Sequence, residues 1–401
     1  MYRSFLRSVW TSSFVTVVLL ISVSTTSAQT VARCGQGWLE LIDGYPVLHL
    51  KGTPYEMGYQ HGALMKKDVR ENMEYLVHEK GGTKLVDFGP IKVTPKQLIA
   101  TILRIQQPHV PKKFFEELDG LADGSGLDRQ DARVGNFIPE MFHCSGFAIM
   151  DSATKDGTLY HGRVLDYAID WRLQEHAVII VAEPNDGIPF VNVSYAGFIG
   201  SVTGMNANHV SIGEMGGRGL GHWEGIPMAF LVREALEKGN TLEEAIGVFR
   251  DNPRTCEYYY VIADAKDNTA VGMEASWDEF QVIRPGTKHE LLPLPVKDCA
   301  LLSAGDRYQE LVRRVKEKHG NIGPEDALRL MDRGVAMKSN LHNVLFEPKS
   351  TRFWVANASA DKKPAAEQKY HQFQLSELLK RQPSSDAKVI PLEKPKEVAE
   401  K

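Results

Sequence analysis

What most constrains the fold of this chain is a change of texture at Cys144. Upstream, apolar residues recur at helical spacing. Met57, Leu64, Val69 and Met73 do so across 47–75, and Phe114, Leu118 and Leu121 form one face across 111–122. The second stretch closes on a breaker cluster, Asp123-Gly124-Ser125-Gly126. Downstream come short strand-like runs at 147–150, 158–164, 177–182, 190–196 and 210–213, parted by turns such as Lys155-Asp156-Gly157 and Asn185-Asp186-Gly187. Two helices follow over 227–238 and 241–249, the second opened by the capping box Thr241 to Glu244. Strands return at 258–263, 270–274 and 280–283, helical stripes at 308–315 and 324–331, and last strands at 343–346 and 352–355. Strands in blocks and helices in blocks argue against alternating βαβ units. They predict an α+β fold of stacked antiparallel sheets with helices on the outer faces, behind a mainly helical N-terminal segment.

The N-terminus reads as a secretory signal peptide over residues 1–28. Arg3 and Arg7 precede an apolar run over 14–23, and small residues Thr26 and Ala28 precede the expected cut. The run is shorter than the ~20 residues that span a bilayer, and no later stretch is long enough, so an exported chain without a transmembrane segment is expected. Of 401 residues 43% are hydrophobic, enough for a sizeable core. The net charge of −4 gives no basic face for nucleic acid. The tail from Pro383 to 401, rich in Lys, Pro, Ser and Glu, is expected to be disordered. Export permits disulfides among Cys34, Cys144, Cys256 and Cys299. If Cys144 is a free thiol, at most one pair remains, and the sequence does not choose it.

A cysteine just before a strand is by itself ordinary. Cys144, however, is followed by a strand, the turn Lys155-Asp156-Gly157, a second strand and then Gly162-Arg163, with Asp166 three residues on. This block resembles the start of the mature chain in the choloylglycine hydrolase and acyl-CoA:6-aminopenicillanic acid acyltransferase group of N-terminal-nucleophile hydrolases. Acid ceramidase and penicillin V acylase are more distant likenesses. The stretch from Gly52 through Gly58 and His61 to Gly62 is similar to a segment of the acyltransferase branch. So is the run from Glu117 to Gly126, followed by Asn136 and Glu140. Together these cover most of 50–360.

The resemblance implies a four-layer αββα sandwich and self-cleavage between His143 and Cys144. It divides the chain into a pro-segment over 29–143 and a catalytic part over 144–382. The cut would free an α-amino group with a pKa near 7.7–8.0, able to act as general base at neutral pH where a lysine amine is not. Thiol and base then share one residue, so no separate histidine is needed. By the same resemblance Arg163 would lower the thiol pKa and Asp166 would orient the new amine. The two can converge only if the strand ends or bulges near Val164-Leu165, because i and i+3 in a strand face opposite ways. Candidates for substrate or oxyanion contacts are Asn206, Glu214, Asn340, His342 and Asn343. Glu214 stands where the family often has Asn. An ionised carboxylate cannot donate, so Glu214 would be protonated or grip an amine. The stretch from Ser303 to Tyr308 lacks a second family Asn.

The expected activity is hydrolysis or transfer of an amide-linked acyl group through a Cys144 thioester. The partner is a small N-acyl or lipid-like substrate, and the two fragments stay associated after the cut. The thirteen histidines show no metal spacing, and no P-loop or dinucleotide fingerprint is present, so neither metal nor cofactor is expected. Two other readings stay open: a phospholipase-B-like lipid acyl hydrolase using the same thiol, and a secreted binding protein that has lost turnover.

Overall fold

The computed structural model describes residues 28–83, 86–88, 91–138, 144–167, 169–217 and 221–394. Most of the expected signal peptide, His143 of the expected cleavage junction, and residues 395–401 lie outside these.

Before Cys144 the chain forms β1 (Ala28–Cys34), β2 (Gly37–Ile42), β3 (Tyr45–Gly52), α1 (Pro54–Leu64), α2 (Lys66–Glu74) and a π-helix at Tyr75–Lys80. It continues with β4 (Val86–Phe88), β5 (Ile91–Val93), α3 (Pro95–Gln106), α4 (Lys112–Ser125) and α5 (Arg129–Asn136). Thr53 caps α1 in a capping box with Glu56, and Thr94 caps α3 with Gln97. Gly126 ends α4 in the left-handed region at φ 76°, where the breaker cluster predicts an end.

After Cys144 come β6 (Ser145–Asp151), β7 (Gly157–Asp166), β8 (Ala177–Pro184), β9 (Phe190–Tyr195), β10 (Thr203–Asn206) and β11 (Val210–Glu214). Then follow α6 (Met228–Lys238), α7 (Leu242–Arg250), β12 (Glu257–Asp264), β13 (Thr269–Ser276), β14 (Phe280–Ile283) and β15 (Cys299–Leu302). The rest is α8 (Gly305–Lys318), α9 (Pro324–Arg329), β16 (Asn340–Glu347), β17 (Arg352–Asn357), β18 (His371–Gln374) and β19 (Lys388–Ile390).

Eleven strands make one sheet in the order β14-β13-β12-β11-β10-β9-β8-β3-β2-β1-β19, and six make a second in the order β15-β6-β7-β16-β17-β18. Pairing is antiparallel throughout both except at β3–β8 and β1–β19. Alternating residues show the layers. Tyr258, Tyr260 and Ile262 of β12 belong to the core shared with α4, α6 and α7, while Val261 and Ala263 belong to the core shared with the second sheet. Helices α8 and α9 cover the far side of that sheet through Leu311, Val312, Val315 and Ala327. The result is the four-layer αββα sandwich. Strands such as β8 are buried on both faces, which is why they read as unbroken apolar runs.

The segment before Cys144 is mainly helical as expected, although residues 28–52 lie in strands, and β3 joins the large sheet by pairing with β8. The tail is not wholly without structure: Lys388–Ile390 pairs with the open edge of β1, and Ile390 and Leu392 pack on the core. A polar composition hides such a strand because the pairing groups are backbone.

Helices α1 and α4 cross at very short range. A Cβ on Gly58 or Gly62 would strike backbone of Glu117 and Leu121, and one on Gly120 or Gly124 would strike backbone of Tyr55 and Tyr59. The glycine motifs of both stretches are therefore a backbone-to-backbone contact.

Candidate active site

Cys144 precedes β6 and is 2% exposed. The β6–β7 hairpin pairs Ser145 with Val164 and Gly146 with Arg163, so the start of β6 lies beside the end of β7. That pairing is what joins Cys144 to Arg163 and Asp166.

Arg163 is fully buried between the sheets. Its Nε donates to the backbone oxygen of Glu214 at 3.1 Å and its Nη2 to Glu214 Oε2 at 3.3 Å. No side chain at position 213 could share this space, because a Cβ on Gly213 would lie 2.8 Å from Arg163 Cγ. Glu214 ends β11 and also accepts the Gly216 N–H on Oε1. Burial pushes its carboxyl up to about 7 against the pull of Arg163.

Asp166 ends β7 and faces the other way. Its Oδ2 accepts from Arg307 Nη1 at 2.8 Å and its Oδ1 from the Met337 N–H at 2.9 Å. Burial raises it to about 6. The register between β7 and β16 shifts between Asn340 and His342, so the chain is irregular at the strand end. Arg163 and Asp166 thus do not meet each other, but both charges act on the Cys144 thiol. Burial pushes that thiol up to about 12. Arg163 and the Asp166 backbone N–H pull it down, and the Glu214 and Asp166 carboxylates push it up.

Arg307 is a residue that the sequence reading missed. It stands in the first turn of α8 and donates to Ser145 Oγ at 3.1 Å as well as to Asp166. The stretch around it was read for an absent Asn, and nothing in its spacing points to β7.

The remaining candidates fall elsewhere. Asn206 gives its amide N–H groups to Leu236 and Gly239 carbonyls and accepts from Asn208 and Val210, which fixes a turn and the end of α6. Asn340 bonds Leu165, His342, Asn343 and Ala366, and Asn343 bonds Met331 and Tyr370. The polar side-chain atoms of these three asparagines are engaged in hydrogen bonds within the fold. His342 lies behind Arg163. Cys34, Cys144 and Cys299 are buried free thiols, so the disulfide left open by the sequence does not form.

Cys144 lines a cleft of about 390 Å³ with Met215, Gly216, Tyr259, Ser303 and Arg307. It also packs with Leu76, Leu165, Tyr195 and Leu341, which help to line a smaller apolar cavity of about 80 Å³.

Residues 152–289 match the family model of acyl-coenzyme A:6-aminopenicillanic acid acyl-transferase. Over that stretch, about a third of its length, the chain is similar to this family. The matched stretch of this chain holds Arg163, Asp166 and Glu214 and begins after Cys144. Protein dcd1B of Dictyostelium discoideum is 26% identical over 390 residues, 84% of this chain and 75% of that protein. The N-acylethanolamine-hydrolyzing acid amidase of Mus musculus is 23% identical over 185 residues, 43% of this chain. The chain spans about 50% of that amidase's length. A solved structure of the Caenorhabditis elegans N-acylethanolamine-hydrolyzing acid amidase ortholog aligns at a TM-score of 0.42 and 20% identity, over 51% of this chain and 93% of that one. Among the described residues no helix is long and apolar enough to cross a membrane.

Proposed function

We propose that this chain is an exported, self-cleaving thiol amidohydrolase that removes an acyl chain from an N-acyl amine. The observation that carries the reading is the position of one buried thiol, at the lip of a cleft and against an apolar cavity, with Arg163, Asp166 and Glu214 acting on it. In the uncut chain a thiol near 12 is protonated and inert. A cut between His143 and Cys144 supplies the missing base as an α-amine.

That amine takes the thiol proton, and the sulfur attacks the acyl carbon. The tetrahedral intermediate collapses as the C–N bond breaks and the ammonium returns its proton to the leaving nitrogen. Water, deprotonated by the same amine, attacks the thioester carbon; the C–S bond breaks, the carboxylic acid leaves and the ammonium returns its proton to the sulfur. The apolar cavity suits the acyl chain and the larger cleft the amine. The acid amidases among the relatives point to N-acylethanolamines as the first substrates to try. Fragment retention is supported by β3–β8 pairing and by the buried Arg233, which binds Glu117 of α4 and Glu237 of α6.

Intact mass and N-terminal sequencing of the purified protein test the first half, and turnover of N-acyl amides against a Cys144→Ser control tests the second. A fragment that begins at Cys144 and hydrolyses amides fits the reading. A stable uncut chain, or activity surviving in Cys144→Ser, overturns it.

A further inference from the structure

Arg163 is held from two sides. Glu214 is one. The other is His342, also 0% exposed, whose Nε2 lies 3.4 Å from Arg163 Nη1 and 3.0 Å from Thr203 Oγ1. A guanidinium has only donors. The facing imidazole nitrogen must therefore be unprotonated and accept. The proton of a neutral ring then sits on Nδ1, which lies 2.9 Å from Tyr195 Oη and can donate to it. Tyr195 in turn can donate to Asn357 Oδ1 at 3.5 Å. Burial and the Arg163 charge both hold His342 well below the ordinary imidazole range, so the ring stays neutral. Arg163 on Nε2 and Tyr195 on Nδ1 thus favour one tautomer, while the Thr203 hydroxyl can serve either.

We infer that His342 is a positioning residue for the thiol chemistry, fixing the Arg163 guanidinium toward Cys144 through an acceptor Nε2 whose tautomer is set by Tyr195 and Asn357. This rests on the reading of Cys144 as nucleophile. His342 is not among the residues that line either cavity beside Cys144. Its effect reaches the thiol only through the charge of Arg163. The other charged groups acting on that thiol are Asp166 from β7 and Glu214 from β11. Arg307 from α8 lines the same cleft.

The test compares His342→Gln, which keeps an acceptor near the Nε2 position, with His342→Leu, which removes it, and with Tyr195→Phe, which frees the tautomer. Processing, kcat, KM and the acidic limb of the kcat/KM pH profile are read for each. His342→Leu should lower kcat by roughly tenfold or more with KM little changed, as befits a lost hydrogen bond to a charged group. Its acidic limb should move to higher pH because the thiolate loses a fixed cation. His342→Gln should recover most of the rate and the limb, and Tyr195→Phe should fall between. A merely structural loss lowers the amplitude and leaves the limb in place. Should His342→Leu not fold, Tyr195→Phe and His342→Gln decide the matter. A wild-type limb in Tyr195→Phe, or a His342→Gln limb as displaced as the full loss predicts, overturns the inference. Activity that survives in Cys144→Ser overturns the nucleophile reading instead, which keeps the two failures apart.

Discussion

Arg163 and Glu214 form an ion pair at 3.3 Å in which neither side chain has any solvent exposure. Water cannot help to stabilise either charge, so the proton balance of the pair depends on burial and on Arg163. Burial wins at Glu214: its folded value is about 7 against 4.5 for the free group. The folded state therefore holds a proton that the unfolded chain releases above about pH 4.5. Stability from this group is fully present below that point and is lost as pH rises to about 7. Glu214→Gln stays neutral in both states and escapes the loss.

In an uncut Cys144→Ala background, denaturant titration should show Glu214→Gln gaining on its parent between pH 4.5 and 7. The gain should approach ~1.4 kcal/mol per pH unit. The buried His61 and His161, both near 3, bend the whole-protein curve in the opposite direction, so the comparison is made between variants. Parallel curves would show that Glu214 is ionised throughout.

Arg307 holds Asp166 at 2.8 Å from the first turn of α8. Without it the carboxylate keeps the Met337 N–H and the more distant charges of Arg163 and Arg333, and its pKa should climb further above 6. Arg307→Met should slow processing and turnover by roughly tenfold to a hundredfold, the scale of a charge-assisted hydrogen bond lost in a buried site. Activity should move toward higher pH. Single-turnover rates across pH check this, and an unchanged profile removes Arg307 from the site.

At the α1–α4 crossing the backbones touch through Gly58, Gly62, Gly120 and Gly124. Gly120→Ala must push the helices apart, since its Cβ meets main chain and not a flexible side chain. A cost of about 1–3 kcal/mol or more is expected, read by thermal or chemical denaturation. Gly44, with open space around it but φ at 81°, is the contrasting case: alanine there meets backbone strain and no clash.

Much of the fold is legible in the sequence because strands buried on both faces announce themselves as apolar runs, and caps such as Thr241 mark helix starts. The strands β1 to β3 were missed although Asp43-Gly44 is a hairpin signal, with both residues at positive φ. Their identity depends on pairing with β8, more than a hundred residues away. In the site, Cys144, Arg163 and Asp166 were legible because one hairpin carries them all. Glu214 was legible only as an anomaly, and its partnership with Arg163 needed the second sheet. Arg307 was not legible, because only tertiary packing brings α8 to the end of β7. The asparagines are ambiguous in sequence because a buried Asn that fixes a turn and one that binds a substrate look alike there.

The segment before Cys144 is anchored to the rest by charge as well as by β3. Arg233 donates to Glu117 at 3.0 Å and to Glu237 at 2.6 Å, and all three are buried. Removing one partner leaves an uncompensated charge in the core. Arg233→Met should cost about 3–5 kcal/mol. If self-cleavage occurs, the wild-type fragments should co-elute on size exclusion. Those of Arg233→Met should separate at lower urea. Equal urea resistance would assign retention to the sheet alone.

The apolar cavity tests the acyl half of the proposal. Val202 lines it together with Phe198 and Leu341 and is only partly buried, so Val202→Phe can fill space without crowding a tightly packed position. Each methylene denied its apolar site forfeits about 0.8 kcal/mol, or roughly fourfold in kcat/KM. Across N-acyl amines from acetyl to palmitoyl, Val202→Phe should leave the shortest substrates unchanged and penalise longer ones progressively, until the chain no longer enters. A uniform loss would mean that the substitution disturbs the thiol and not the chain. No loss at any length would move the acyl group out of this cavity and into the larger cleft beside Tyr259, and would reverse the assignment of the two cavities.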